Sequence, residues 1–414
     1  MPAPLKILFV TPGLPSPPSF GGQARMQGLM KTLARTHAVS ALSYVNPAED
    51  HARSIAATSD YCREVVTVPN PALALRGRGK RLLQLRSLLS RHSFEALCYD
   101  RPELVRALRT LLARQTWDVV NVEFSFMAAC RDALSADERR RAGAFVLDEH
   151  NVEYEILRRT AASETTPARR VYNGVNWRKL KREEVGAWKL YDGCAVTSRV
   201  DEQQLLRDVP SAATAVVPNA ADIDHFKPRP EAAPPEPYTL LFFGAFNYFP
   251  NTDGLHFFVN EVLPLVAAQC PQVKLRVVGH TPPELKALSG KHIEMLGFVD
   301  DLRVQIERAA VVIAPLRVGG GTRLKIVEAM AMGKAVVSTH LGAEGLDVTH
   351  GRDVLLADEP AAFAEQVVRA LQSPELQEQL GRAARKQVEE HYGWAESVRR
   401  LEALYDRLLS ATGS

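Results

Sequence analysis

Short apolar runs bounded by glycine, proline and polar residues recur along the chain. Those at residues 5–10, 39–44, 65–68, 118–122, 145–148 and 194–197 read as buried strands, and residues 215–219 close the series. A second series follows at residues 238–244, 275–279, 293–297, 311–314, 335–338 and 354–356. Between the runs lie segments with apolar residues at helical spacing. Residues 23–34 carry Met26, Leu29, Met30 and Leu33 this way, and residues 324–332, 360–371, 375–391 and 397–409 also read as helices. Strands alternating with helices predict parallel sheets covered by helices, in an α/β fold. The pattern occurs twice. Residues 227–237 between the two series are too rich in proline for a core element and read as a semi-stiff linker. The expected domains are therefore residues 1–226 and 238–396, with the last helix, 397–414, crossing back to the first.

One stretch organises the second half. The run 311–314 leads into the glycines 319–321, then into the helix-forming residues 324–332, which stop at Gly333. Glycines let backbone approach a ligand, and the first N–H groups of a helix lack internal partners at the positive end of its dipole. Together they make an anion site. Arg323 and Lys325 place two cations at this same end, which is unfavourable unless an anion lies there. Glu328 follows one turn later. A second, weaker candidate is Gly21-Gly22, where the first strand hands over to a helix.

Composition narrows the class. The chain has 414 residues, 46% hydrophobic and 24% charged, which is ordinary globular material long enough for two domains. A net charge of +3 gives no argument for nucleic acid. The five cysteines are scattered, without metal spacing, and read as reduced thiols. No run approaches the roughly 18 apolar residues of a membrane span, and the first apolar run is too short for a signal peptide. The expected location is cytoplasmic.

Several polar features carry more than one reading. His150 stands in the cluster Glu149-His150-Asn151-Val152-Glu153 after a strand, where open α/β sheets bind ligands, and is the best candidate for a functional histidine. Glu149, His150 and Glu153 imitate a metal cluster without a further spaced ligand, and Asp222-Ile-Asp224 matches an Asp-x-Asp motif by chance. No metal site is expected. The arginine- and leucine-rich residues 76–91 fit a basic amphipathic helix on an anionic membrane face. The favoured reading is an ordinary surface helix with its leucines in the core, the commoner arrangement in soluble proteins. Residues 171–190 read as a charged helix with a solvated face.

With these residues in hand, the chain resembles glycosyltransferase family 4 over nearly its whole length. The resemblance rests on 297–301 (Gly-Phe-Val-Asp-Asp), Ala314-Pro315, 328–337 (Glu-Ala-Met-Ala-Met-Gly-Lys-Ala-Val-Val), 217–219 with Asp222 and Phe226, and 342–345 (Gly-Ala-Glu-Gly). It implies a GT-B architecture, two Rossmann-like parallel-sheet domains facing each other across a cleft. It also implies a retaining hexosyltransferase that uses a nucleotide-diphosphate sugar as co-substrate and needs no cofactor. By the same resemblance Glu328 binds the ribose hydroxyls, Gly321, Thr322 and Arg323 meet the diphosphate, and Val318, Gly319 and Gly320 meet the donor sugar. Leu324 belongs to the same donor-binding set, Phe298 and Val299 lie against the base, Gly21 and Gly22 face phosphate and acceptor, and His150 stands near the donor sugar. The expected partners are a nucleotide sugar and a glycan or lipid-linked acceptor, with peripheral contact at the inner face of the membrane. Bacterial exopolysaccharide or lipopolysaccharide assembly is the implied setting.

Two departures stand out. The family's first paired glutamate should lie eight positions before Glu328, where this chain has Gly320. The loop after Gly244 should carry an arginine and a lysine, and residues 245–251 (Ala-Phe-Asn-Tyr-Phe-Pro-Asn) hold neither. Arg323 and Lys325 are the expected substitutes, which makes His150, Arg323, Lys325 and Glu328 the candidate catalytic set. The alternatives are a non-catalytic partner protein on the same fold, for which Gly320 argues, a sugar-nucleotide epimerase, or a glycogen-synthase-like polymerase.

Overall fold

A computed structural model describes residues 3–229 and 233–412; within the expected linker, 230–232 lie outside the described residues. Two compact units form, Met1–Pro218 with Ser397–Ser414, and Asn219–Glu396. The division precedes the expected boundary at residue 226, for a local reason. Ala221 N–H donates to Tyr392 O and Arg385 donates to the carbonyls of Ile223 and Phe226, so residues 219–226 pack on the helix Pro374–His391.

The first unit holds seven parallel strands: β1 Lys6–Thr11, β2 Ala38–Val45, β3 Val65–Pro69, β4 Trp117–Glu123, β5 Ala142–Glu149, β6 Gly193–Val196 and β7 Thr214–Val216, in the order β3-β2-β1-β4-β5-β6-β7. β1, β2, β4 and β5 are almost wholly buried, as parallel strands covered on both faces must be. Side-chain alternation sends Leu8, Val10, Val120 and Val122 into one core with Leu108 and Leu112 of the helix Pro102–Arg114. The last helix, Trp394–Thr412, packs on this sheet through Leu404 and Leu408 against Gly193, and Leu409 against Gly143.

The second unit repeats the plan with six parallel strands: β8 Thr239–Phe243, β9 Lys274–Val278, β10 Ile293–Gly297, β11 Val311–Ala314, β12 Ala335–Ser338 and β13 Leu355–Leu356, ordered β10-β9-β8-β11-β12-β13. Two Rossmann-like parallel sheets are the α/β plan read from the sequence. In each, strand order reverses between neighbouring strands, β1 and β4 in the first and β8 and β11 in the second. The loops beyond their carboxyl ends are where such sheets bind ligands.

Two helices differ from expectation. Gly77–Leu89 buries only Ser87, while Leu82, Leu85 and Leu89 are 69%, 61% and 93% exposed. The leucines expected in the core face outward because the helix is held elsewhere. Lys179 Nζ donates to the carbonyls of Ser87, Leu88 and Ser90 at 2.6, 3.2 and 2.7 Å, and Tyr172 hydroxyl meets Ser87 Oγ at 3.3 Å. The helix Pro167–Leu190 is not only a solvated face, for it buries Asn176, Leu180, Glu184, Ala187 and Trp188.

Candidate active site

In the second unit the site grows from the two loops at the strand-order reversal. β11 ends at Ala314, the chain turns through Gly319 and Gly321 with φ of 115° and 71°, and the helix Leu324–Ala331 begins at once. Gly319 is required twice over, by its positive φ and because a Cβ there would stand 2.9 Å from Arg323 Nη2. Arg323 lies under this loop, one guanidinium nitrogen donating to Gly320 O. The helix has no side-chain cap and no acid in its first turn, which leaves its leading N–H groups for a ligand. Thr322 is buried, and its hydroxyl has no hydrogen-bond partner among the described residues.

Lys325 reaches from the helix start to the first turn of the helix Phe249–Phe257, beyond the short loop after β8. Its Nζ donates to Asn251 Oδ1 at 2.6 Å and sits 4.8 Å from the Phe242 ring centroid, beneath Gly244 at the end of β8. Asn251 Nδ2 in turn donates to Ala245 O at 2.8 Å. Lys325 thus places its ammonium in the loop that lacks the expected arginine and lysine. Burial lowers its pKa to about 7, with Arg323 adding to the fall and Glu328 opposing it. Glu328 lies one turn along the same helix. Its carboxylate is partly buried, accepts no hydrogen bond from the described residues, and is raised by burial to about 7. Phe298, beyond β10, is 82% exposed, Val299 beside it is half-buried, and Val318, Gly320 and Leu324 are half-buried around the glycine loop.

In the first unit the candidates gather at the ends of β1, β4 and β5. The helix Gly21–Leu33 starts at the glycines themselves. A Cβ on Gly22 would lie 2.8 Å from the Phe20 ring, 3.2 Å from Phe124 and 3.3 Å from His150 Nδ1, so glycine here permits close approach to the histidine. One turn in, Arg25 is fully buried and bonds both oxygens of Asp148, at 2.6 and 3.1 Å, and Val217 O at 2.8 Å. His150 Nε2 meets Glu123 Oε2 at 2.6 Å, and the Phe124 ring stacks on the imidazole at 3.7 Å. Phe124 takes a φ of 67°, a strained backbone that positions this ring. Burial pushes Glu123 up to about 8 and His150 down to about 3.

The imitated metal cluster does not converge. Glu149 accepts from Trp188 Nε1 at 2.7 Å and Ser125 N–H at 3.1 Å, whereas Glu153 bonds Asn151. Glu123, Asp148 and His150 do lie within 4.8 Å of one another, but the Arg25 guanidinium already occupies Asp148. Asp222 caps its own turn, accepting from the N–H groups of Asp224 and His225.

Residues 237–373 match the family model described as "Glycosyl transferases group 1". These residues are a glycosyl transferases group 1 domain. The group 1 domain contains every candidate named above except Gly21, Gly22 and His150. Among curated proteins the chain is similar to the phosphatidyl-myo-inositol mannosyltransferase of Mycobacterium tuberculosis, 30% identical over 204 residues, 46% of this chain and 53% of that protein. The chain spans 36% and 53% of the lengths of the first two curated relatives it matches. The fold is shared with the sucrose-phosphate synthase of Thermosynechococcus elongatus (TM-score 0.72, 18% identity, 98% of this chain and 100% of that one). It is shared also with Anabaena HepE in complex with UDP-glucose (TM-score 0.67, 16% identity, again 98% and 100%). These are GT-B proteins, and the two Rossmann-like units here are of that class.

Sequence reasoning found the glycine loop of the group 1 domain because its signal is local. It missed Asn251, Arg25, Asn121, Glu123, Asp148 and Tyr405. The strand run Asn121-Val122-Glu123 carried a signal, since two polar side chains on one face of a buried strand need buried partners.

Proposed function

We propose that this chain is a retaining glycosyltransferase. It moves a sugar from a nucleotide-diphosphate donor to a glycan or lipid-linked acceptor, in bacterial exopolysaccharide or lipopolysaccharide synthesis. The observation that carries the reading lies in the group 1 domain. An uncapped helix start, a half-buried lysine and a glutamate without a partner among the described residues are gathered at the reversal of strand order. Breaking the bond from sugar to diphosphate leaves negative charge on the leaving group, which Lys325, Arg323 and the helix N–H groups stabilise as it forms. Glu328 accepts from the ribose hydroxyls, and Phe298 offers an open ring to the base. The anomeric configuration is retained, the acceptor attacks on the face the diphosphate leaves, and no metal is needed to balance the charge. HepE, a structural neighbour, is known in complex with UDP-glucose, which supports a nucleotide-sugar donor.

The acceptor side is read from the helix Gly77–Leu89. Its outward leucines stand among Arg78, Lys80, Arg81 and Arg86, with Arg91 just beyond, and the helix has no acidic residue. Apolar side chains ringed by cations suit an anionic lipid surface, which supports a lipid-linked acceptor at the inner face of the cell membrane. Among the described residues no helix is long and apolar enough to cross a membrane.

Screening nucleotide sugars by thermal shift tests the donor, because a ligand bound only by the folded chain raises its melting point. The expected result is stabilisation by one class of nucleotide sugar, followed by release of its nucleotide when an acceptor is added. Failure of every nucleotide sugar to stabilise the chain refutes the reading. Gly320, in place of the expected glutamate, favours a second reading, a non-catalytic partner protein. That protein would bind nucleotide without ever releasing it from a sugar.

A further inference from the structure

A chain of buried hydrogen bonds runs from the last helix to His150. Tyr405 hydroxyl donates to Asn121 Oδ1 at 2.8 Å, and Asn121 Nδ2 donates to Glu123 Oε1 at 2.9 Å. Glu123 Oε2 then meets His150 Nε2 at 2.6 Å. Tyr405, Asn121 and Glu123 are wholly buried and His150 is 4% exposed. Alternation along β4 puts Asn121 and Glu123 on one face of the strand, so one helix residue can orient both through the first.

The bonds fix the direction of each proton. Tyr405 uses the Asn121 carbonyl, which leaves the Asn121 amide to donate and commits Glu123 Oε1 to accepting. The remaining charges facing the pair are Arg25 and Asp148, already joined as a bidentate, fully buried ion pair. A buried cluster holding no net charge therefore keeps two protons on the Glu123–His150 pair. One lies in the contact between Oε2 and Nε2, on whichever atom. The other has a single place left, Nδ1. Burial raising Glu123 to about 8 agrees with a pair that keeps both protons at neutral pH.

His150 Nδ1 faces Gly22 at the first turn of the helix Gly21–Leu33, and no described residue accepts from it. That helix start has no side-chain cap. We propose that Tyr405, Asn121 and Glu123 are positioning residues that lock His150 in its Nδ1–H tautomer, so that it presents a fixed hydrogen-bond donor to the Gly21-Gly22 turn, where the family resemblance already implies a phosphate. The proposal rests on reading this end of the sheet as a ligand site of the transferase, but its test needs no turnover.

The test is long-range proton–nitrogen NMR on the full chain with labelled histidine, His150 being assigned by its loss in His150→Gln. The wild type should show a protonated Nδ1 near neutral pH, and inorganic phosphate should shift that signal. Glu123→Ala should turn His150 to the ordinary Nε2–H tautomer, and Tyr405→Phe should give a mixture of both. Should Glu123→Ala fail to fold, Glu123→Gln replaces it. Its amide donates to Nε2, so Nδ1 should stay protonated at alkaline pH where the wild type loses the proton. A bare Nδ1 in the wild type overturns the proposal. So does no response to phosphate, a His150 spectrum in Tyr405→Phe identical to wild type, or Glu123→Gln titrating as the wild type does. Because the signals are read without donor sugar, a chain that transfers nothing could still show the fixed tautomer, and the two readings fail separately.

Discussion

Lys325 Nζ donates to Asn251 Oδ1 at 2.6 Å, and so joins the start of one helix to the first turn of another, Phe249–Phe257, which follows a different strand. The joint puts a cation where the loop supplies none. Asn251→Ala should leave that cation unanchored. A hydrogen bond to a charged group is worth about 1.5–3 kcal/mol, so kcat/KM for the donor should fall roughly 10- to 100-fold. Lys325→Met should lose more, and adding Asn251→Lys to it should restore part of the activity by returning a cation from the other helix. Steady-state kinetics on the three variants decide this, and no rescue would mean that position 251 cannot substitute.

Arg323 holds the glycine loop and faces the diphosphate on the proposed reading. Removing one preorganised donor to a developing charge typically costs on the order of 10²-fold in turnover. Arg323→Ala should therefore lower kcat by about that factor, with a far smaller effect on the melting temperature. Turnover equal to the wild type would remove Arg323 from the mechanism.

Lys325 and Glu328 both titrate near neutrality, at about 7 each. The signs are opposite in effect. As pH falls through this value Glu328 gains a proton and loses its power to accept from hydroxyls. As pH rises through it Lys325 loses its charge. The profile of kcat/KM against pH should be a narrow bell centred near 7. Glu328→Gln should flatten its acid limb while leaving the alkaline limb in place.

Gly22 lets Phe20, Phe124 and His150 crowd one turn. Gly22→Ala sets a methyl 2.8 Å from the Phe20 ring and 3.3 Å from His150 Nδ1. Phe20 is exposed and can yield, whereas His150 and Phe124 are buried. The variant should fold with a modest loss of melting temperature and a pronounced loss of turnover, measured side by side by calorimetry and donor release.

Leu82, Leu85 and Leu89 face solvent on a basic helix. Each cation near an anionic bilayer contributes about 1 kcal/mol, so vesicles rich in anionic lipid should sediment the chain and neutral ones should not. Leu85→Asp with Leu89→Asp should abolish the binding without unfolding the chain, since neither side chain lies in the core. Equal binding to neutral vesicles would reject the electrostatic part of this reading.

The sequence by itself determined the two α/β halves, the strands of both sheets, the glycine loop and the placement of Glu328 one turn behind it. Each is written in neighbouring residues, as alternation, helical period or the φ freedom of glycine, and survives without knowledge of the fold. What only the tertiary structure decided is which distant side chains meet. Lys325 and Asn251 are 74 residues apart, Arg25 and Asp148 are 123 apart, and Tyr405 and Asn121 are 284 apart. Periodicity cannot name such partners, because it reports that a face is buried and not what buries it. The helix Gly77–Leu89 makes the same point in reverse. Its leucines repeat as a core stripe would, yet Lys179, some 90 residues on, holds the helix by its carboxyl end and leaves that stripe in solvent.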